Sequence, residues 1–504
     1  MMNGPEKSPF TRLKPLRLLG FVVILVGFGW FLWKHQPVTL SVSQDHKSKP
    51  VEQVFLGPRN SLAVLSFLPG EGGDTPAYLG KGVARELVDF FALEPGLQLI
   101  AATSSLFLAG GGENLDQAAQ RLQAANLLYG TVTLREGSFQ LDASLWSARL
   151  KRISWSGSFN GKLDQADWIL NEVYRAVVDE LPLRRHSSGP SRPLAANNAW
   201  LEYLQGRELM LAGLPGDARN HLRRAIEIEP GYSAARLALA RIELAGSPPG
   251  RKEALTAVDL ILRQDSENAH ALGLRSYIER NLDWNWSDAV ESASRAVALL
   301  PGDAALHNLA GQALFSNGRH REAEEHFREA VTRDPLNLNH RLGLGLAQEF
   351  IGEYDEALKT YRILLGLKPD FPGAHACRAR IKLLQDNPDS ALRESEQESD
   401  VFWKRYSRVL ALSGQGLIQE ADSQWKKLKS EYSELAAFQF AEIAAYMGRN
   451  DEAFEWLEAA RLQKDGGMRE LLGNRFLAGL HGDPRWLEML TELGFPLDAD
   501  RLSD

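Results

Sequence analysis

The chain has little with which to do covalent or metal chemistry. Its 504 residues include one cysteine, Cys377. A single thiol forms no internal disulfide and no cysteine-based zinc site. On a repeating helical pattern it reads as a small buried packing residue, with a reactive thiol as the other reading. Charge of one sign is also missing. Lys plus Arg number 57 against 65 Asp plus Glu, a net of −8, so nothing points to broad nucleic-acid affinity. Ser104, His186 and the many carboxylates fall into no nucleophile–base arrangement. The chain is therefore read as non-enzymatic, with no catalytic, cofactor or metal residues assigned. What it does have is ordinary globular stock, 24% charged and 44% hydrophobic, over a length that predicts two or more domains.

Three motifs tempt toward chemistry and have plainer readings. Gly70-Glu71-Gly72-Gly73-Asp74 lies between a strand pattern and a helix pattern, where a phosphate loop would sit. The nearest glycine–lysine is Gly80-Lys81, but Gly82 follows instead of Ser or Thr, so a connecting turn fits better. Gly343-x-Gly345 lies inside a helical pattern and serves close helix approach. His320 and His326, with Glu322, Glu324 and Glu325, suggest a metal, yet Ala323 and Phe327 set the inward face and leave the carboxylates to solvent.

Residues 18–33, LLGFVVILVGFGWFLW, form a charge-free run of 16 residues. It is slightly short for a spanning helix, with Trp30 and Trp33 at one interface. Lys7, Arg12, Lys14 and Arg17 precede it. The positive-inside rule then places residues 1–17 in the cytoplasm and the rest across the membrane. Lys34-His35-Gln36-Pro37 is a poor cleavage site, which favours an uncleaved anchor over a signal peptide. In a bacterium the chain would be a single-pass inner-membrane protein with its bulk in the periplasm.

The dominant pattern is a repeat. Pro301, Pro335 and Pro369 are each 34 residues apart. Between them recur small residues in a first helix (Gly311, Gly345), a turn glycine (Gly318, Gly352), an alanine (Ala323, Ala357) and an aromatic four residues on (Phe327, Tyr361). Glycine lets the chain leave the helix, and proline stops the next one. The register reaches back to residue 199 through a one-residue insertion near Trp284-Asn285-Trp286 and a two-residue insertion around Ser247-Pro248-Pro249-Gly250. It runs forward through Ala391, Gly416, Ala421, Gly448 and Ala453, giving about eight helix pairs. This resembles the tetratricopeptide repeat. The expected fold is a right-handed α-solenoid over 199–467 with a C-terminal cap at 468–504. Its first helices line a concave side that binds protein or peptide partners. The resemblance places Trp200, Tyr203, Arg207, Arg241, His270, Tyr277, Arg280, Asn308, Gln312, Phe315, Asn339 and Glu349 on that groove, where aromatics and arginines supply affinity.

Residues 34–60 read as a tether and 61–182 as a compact α/β domain. The patterns predict strands at Leu62–Leu68, Leu97–Ala101, Leu127–Leu134, Phe139–Trp146 and Ile153–Phe159. They predict helices at Gly80–Leu93, Leu115–Ala124 and Trp168–Leu181. Residues 183–198 read as a linker. The motifs Ala63-Val64-Leu65-Ser66-Phe67, Tyr78-Leu79-Gly80-Lys81-Gly82, Thr103-Ser104-Ser105 and Leu128-Tyr129-Gly130-Thr131-Val132 resemble the TolB-like domain of membrane-anchored, CadC-type regulators. That family usually carries a winged-helix or cyclase domain on the cytoplasmic side, and about 17 residues there are too few for either. The resemblance therefore implies a membrane-anchored periplasmic scaffold or sensor for envelope proteins, contacting the bilayer through 18–33. Its alternative is an accessory subunit that couples a periplasmic signal to a separate cytoplasmic regulator or adenylate cyclase.

Overall fold

The computed structural model describes residues 58–72, 75–94, 96–106, 114–183, 197–246 and 248–496. No helix among them is long and apolar enough to cross a membrane. The expected span at 18–33 and most of the expected tether and linker lie outside the described residues.

The N-terminal part is a mixed six-stranded sheet. β1 (Ser61–Val64), β2 (Leu68–Pro69), β3 (Gln98–Ile100), β4 (Asn126–Arg135), β5 (Ser138–Ser147) and β6 (Arg152–Lys162) run in the order β3-β1-β4-β5-β6. β1 pairs in parallel with both β3 and β4, and β4, β5 and β6 form an antiparallel meander. All four residues of β1 are buried, as a central parallel strand requires. β5 instead alternates, with Phe139, Leu141, Ala143 and Leu145 inward. The Glu136-Gly137 turn joins β4 to β5 with φ of 48° and 80°, the left-handed pair that two-residue hairpins favour. Helix α1 (Ala77–Phe91) and the helix Ala166–Glu180 supply Leu79, Val83, Leu87, Ile169 and Val173 to one core. The helix Leu115–Leu122 packs Ala118, Ala119 and Leu122 against Ala63, Ile100 and Leu127 in another.

The expected strand over Leu62–Leu68 is split. Leu65 still donates to the Leu128 carbonyl at 2.8 Å, but Phe67 turns to the Gly80 carbonyl before β2 rejoins β4. Helix α1 comes so close there that a Cβ on Gly80 would lie 1.8 Å from the Phe67 carbonyl oxygen. Glycine at 80 is thus a packing necessity, whereas at Gly82 a Cβ would press on the Leu204 side chain at 2.6 Å.

Eight consecutive helix pairs follow, from Asn197–Leu211 with Pro215–Ile228 to Ala437–Tyr446 with Asn450–Gln463. We number them units one to eight. Gly213, Gly318, Gly352, Gly416 and Gly448 mark turns within pairs, all with positive φ. The small residues admit aromatics. Phe327 packs on Gly311 of its own unit and Gly343 of the next, and Tyr361 packs on Gly345. The one-residue insertion of unit three appears as a π-helical turn, Glu279–Asp283, after Ala269–Ile278. Such a turn absorbs one extra residue without ending the helix.

The sheet domain packs on the repeats. Its core is continuous with Trp200, Leu204 and Leu222 of unit one. It also meets the turns between later units. Ala92 abuts Gly302, the Ala101 amide donates to the Arg333 carbonyl at 2.7 Å, and Thr103 and Ser104 donate to Asp334, each at 2.5 Å. Two of the three evenly spaced prolines, Pro301 and Pro335, therefore sit in the turns on which this domain rests.

Candidate functional site

The first helices of the units carry the expected groove positions, but two parts of the same chain already lie against them. The sheet domain covers unit one. Trp200 is buried edge-on to Phe139, with centroids 6.3 Å apart, and Tyr203 is buried edge-on to Tyr232 at 5.0 Å. Arg207 donates to the Tyr203 hydroxyl at 2.9 Å and lies 3.7 Å from Asp89 of α1. Burial works against its charge, but Tyr203, Asp89 and Glu86 outweigh that and hold it more firmly protonated than a free arginine.

The C-terminal segment covers much of the rest. Instead of only closing the last unit, residues 465–480 cross the C-terminal ends of several first helices. Arg469 donates to Asn281, and Lys464 to the Leu282 carbonyl at 2.9 Å. Leu472 lies on Gly318, and Gly473 approaches His320. Phe476 lies under Arg380, 5.0 Å from ring centroid to guanidinium carbon. The chain then reaches Trp286, whose indole N–H donates to the Leu493 carbonyl at 2.8 Å and whose ring stacks on Phe495 at 4.7 Å.

This rearranges the expected groove. Arg280, in the π-helical turn, donates to Gln312 at 2.7 Å and more weakly to Ser316. Burial, then the like charge of Arg469, lowers its pKa, although a guanidinium stays charged in proteins. Phe315 is buried between His320 and Phe350. Glu349 is 1% exposed. Trp200, Tyr203, Phe315 and Glu349 are therefore engaged inside the chain, because neighbouring elements cover the positions that a bare solenoid would present. Arg241, His270, Tyr277, Asn308 and Asn339 keep partial or full exposure. Arg241 is the most open, within electrostatic reach of Arg207, Tyr203, Asp303 and Asp89. His270 lies 3.8 Å from Asp303. This stretch, between α1 and the first helices of units two to four, is the open part of the inner face.

Beneath the C-terminal segment is a buried ionic network that the sequence reading missed. Arg380 donates to Glu349 and to Glu442, each at 3.0 Å. Glu442 also accepts from Tyr406 at 2.9 Å and Asn474 at 2.8 Å. Burial raises the Glu349 carboxyl despite Arg380. A buried pair holds only when its remaining polar atoms are satisfied, which the tyrosine and asparagine do here. A signal for it existed. Gln312, Leu346 and Arg380 are successive 34-residue steps, so extending the register from Gln312 would have reached Arg380.

The tempting motifs resolve into packing. His320 is buried between aromatic rings, whereas His326 faces His307, with Nδ1 atoms 3.1 Å apart. Cys377 is buried. Burial pushes its thiol well above the ordinary range, which leaves little reactive thiolate. Lys81 pairs with Glu208 of unit one.

Residues 285–337 and 314–381 match two models of the tetratricopeptide repeat. A protein of Rhizobium meliloti (strain 1021) provisionally named adenylate cyclase 3 is 25% identical over 200 residues, 38% of this chain. The chain spans about a third, 33%, of that relative's length. Similar solved structures include a Pseudomonas aeruginosa pilF structure, 19% identical over 40% of this chain and 90% of the other, TM-score 0.34. PilW, described as a type IV pilus biogenesis factor, is 22% identical over 40% and 93%, TM-score 0.36. A tetratricopeptide repeat protein from Parabacteroides merdae ATCC 43184 is 17% identical over 53% and 100%, TM-score 0.36. On the two repeat matches, residues 285–381 carry tetratricopeptide repeats, and the chain is a helical solenoid with a small sheet region on its N-terminal side.

Proposed function

We propose that this protein is a non-enzymatic, membrane-anchored scaffold or sensor that binds protein partners on the open part of its inner face, around Arg241, His270 and Tyr277. One observation carries the reading: the inner face already holds a folded-back stretch of polypeptide, residues 464–480, by side-chain and backbone contacts with units three, six and eight. Tetratricopeptide repeats serve protein–protein interaction, and this face has the arginine and aromatic chemistry for it. The anchor at 18–33 would hold the repeats at the membrane, on the periplasmic side by its flanking charges, behind a TolB-like domain.

Proximity labelling from the full chain tests this. Partners should be recovered with the native protein and lost with Arg241→Glu plus His270→Ala, two changes outside the buried core. Recovery of the same proteins from both would count against the open face. Reporters fused at residues 40 and 504 test the compartment, and cytoplasmic signal from both would remove the periplasmic reading. A signalling subunit is the second reading, favoured by the 200-residue similarity to the cyclase-named relative. It expects deletion of residues 2–12 to abolish a phenotype while partners stay bound.

A further inference from the structure

Strand β6 is an open edge. It is 11 residues long, and none of them is buried. Among the described residues it pairs with β5 alone. Sheet edges are ordinarily kept short, charged or covered, because a bare row of N–H and C=O groups recruits another strand. β6 carries charge only at its ends, Arg152 and Lys162. Its register gives it two unlike faces. Trp155, Gly157 and Phe159 lie opposite Leu145, Ala143 and Leu141 on the core side, whereas Ser156 and Ser158 lie opposite Ser144 and Asp142. The two aromatic rings stay partly exposed, with centroids 6.3 Å apart. Trp168, in the helix packed on this side, is 52% exposed.

The chain before Pro58 contains a segment of matching pattern. Val38-Thr39-Leu40-Ser41-Val42-Ser43 alternates apolar and hydroxyl residues with a period of two. Its reach fits as well. Leu62 of β1, Asn126, Ser147 and Arg152 are successive lateral neighbours at one end of the sheet. A strand beyond β6 therefore lies four spacings, about 19 Å, from β1. The 14 residues 44–57 span up to about 46 Å. Returning to that end of the sheet also sets the direction, antiparallel to β6.

We propose that Val38–Ser43 docks on the free edge of β6 as a seventh strand. Setting Leu40 opposite Gly157 places Val42 beside Trp155 and Val38 beside Phe159. Ser41 and Thr39 then fall beside Ser156 and Ser158. Every apolar residue faces the core side, and a slip of one residue would turn all of them to the polar side. Pro37, with no N–H to give, falls opposite Asn160 and ends the pairing. At the other end Ser154 is the extra residue of a bulge, which ends the regular stretch. A second copy is the competing occupant, but two antiparallel β6 strands would set Arg152 against Lys162, like charge on like. The docking does not depend on what binds at Arg241 or on a membrane anchor. With 18–33 as an anchor, it leaves only Lys34–Pro37 between bilayer and sheet, instead of a 24-residue tether.

Engineered cysteines in the full chain test it, with the buried Cys377 left in place. Under mild oxidation the pair Ser41→Cys and Ser156→Cys should form its disulfide at least tenfold faster than the pair Ser41→Cys and Arg149→Cys. Arg149 is an exposed turn position at the same end of the sheet. Leu40→Asp should remove that advantage, and should speed hydrogen exchange at least tenfold at the β6 amides that β5 leaves free. Equal rates for the two pairs would show a segment that does not dock. A disulfide found only between chains would assign the edge to a second copy. An advantage that persists in Leu40→Asp would show proximity without the strand register. Each of these three results overturns the proposal.

Discussion

At the scale of single residues, the glycines explain most of the repeat. Gly343 and Gly345, two residues apart, serve different neighbours: a Cβ on either would lie 2.5 Å from Phe327 or Tyr361, respectively. Gly345→Leu is therefore expected to lower stability by about 1–3 kcal/mol through overpacking, read as a lower denaturation midpoint at unchanged slope. Charge is the other residue-scale variable. Burial, with Glu442 and Glu349 nearby, pushes the Glu470 carboxyl up to about 7 against Arg380 and Arg469. A carboxyl whose folded pKa exceeds its unfolded value near 4.5 binds extra protons when folded. Its unfavourable contribution therefore grows as pH rises from about 4.5 to about 7. Glu470→Gln should raise the melting temperature at pH 8 and leave it nearly unchanged at pH 4. An equal rise at both values would mean that the carboxylate is not strained. The aromatic–glycine register was legible in the sequence because it repeats. The raised carboxyl was not, since the carboxylates that help raise it, Glu442 and Glu349, lie 28 and 121 residues away in the chain.

At the scale of elements, the sheet and the helix pairs were legible and the path of the C-terminal segment was not. Alternation along β5 and the apolar run of β1 announce strands, and proline and glycine punctuate the pairs. The split at Leu65-Ser66-Phe67 escaped because its cause is α1, which approaches through Gly80. The return of residues 465–480 along the inner face escaped for a related reason. Its contacts, such as Arg469 with Asn281, join positions 188 residues apart and leave no period to detect. One glycine governs that return. Gly473 has φ of +70°, and a Cβ there would lie 2.5 Å from Cε1 of His320, itself enclosed by Phe315 and Phe350. Gly473→Ala adds a left-handed penalty of about 1–2 kcal/mol to that clash. Hydrogen exchange should show lost protection for amides of this segment such as Phe476, with protection in units four and five retained. Unchanged exchange at Phe476 would show that the close approach does not hold the segment.

At the scale of the whole molecule, the question is whether the sheet domain and the solenoid act as one body. The sequence reads them as separate domains, each with its own period, and says nothing of how they meet. Asp334 is the residue on which the contact turns. It is 2% exposed and ends the second helix of unit four. It accepts from Thr103 and Ser104 of the sheet domain at 2.5 Å and from Asn337 of its own turn at 2.9 Å. Ser104 in turn accepts from the Leu336 amide at 2.9 Å. A buried carboxylate with three donors is worth more than neutral hydrogen bonds, about 1.5–3 kcal/mol for each charged contact before compensation. Asp334→Ala leaves two hydroxyls and an amide without their acceptor on both sides of the contact. The expected result is faster exchange of the Ala101 amide, which donates to the Arg333 carbonyl, with no change in unit eight. A mechanical consequence follows if the two parts move together. The open stretch at Arg241 is bordered by Asp89 of the sheet domain and by Asp303 of unit four, so loosening one wall changes the width of the face. Asp334→Ala should then weaken partner capture through Arg241 without altering any residue of that stretch. Capture at native strength, despite faster Ala101 exchange, would show that the solenoid alone sets the site.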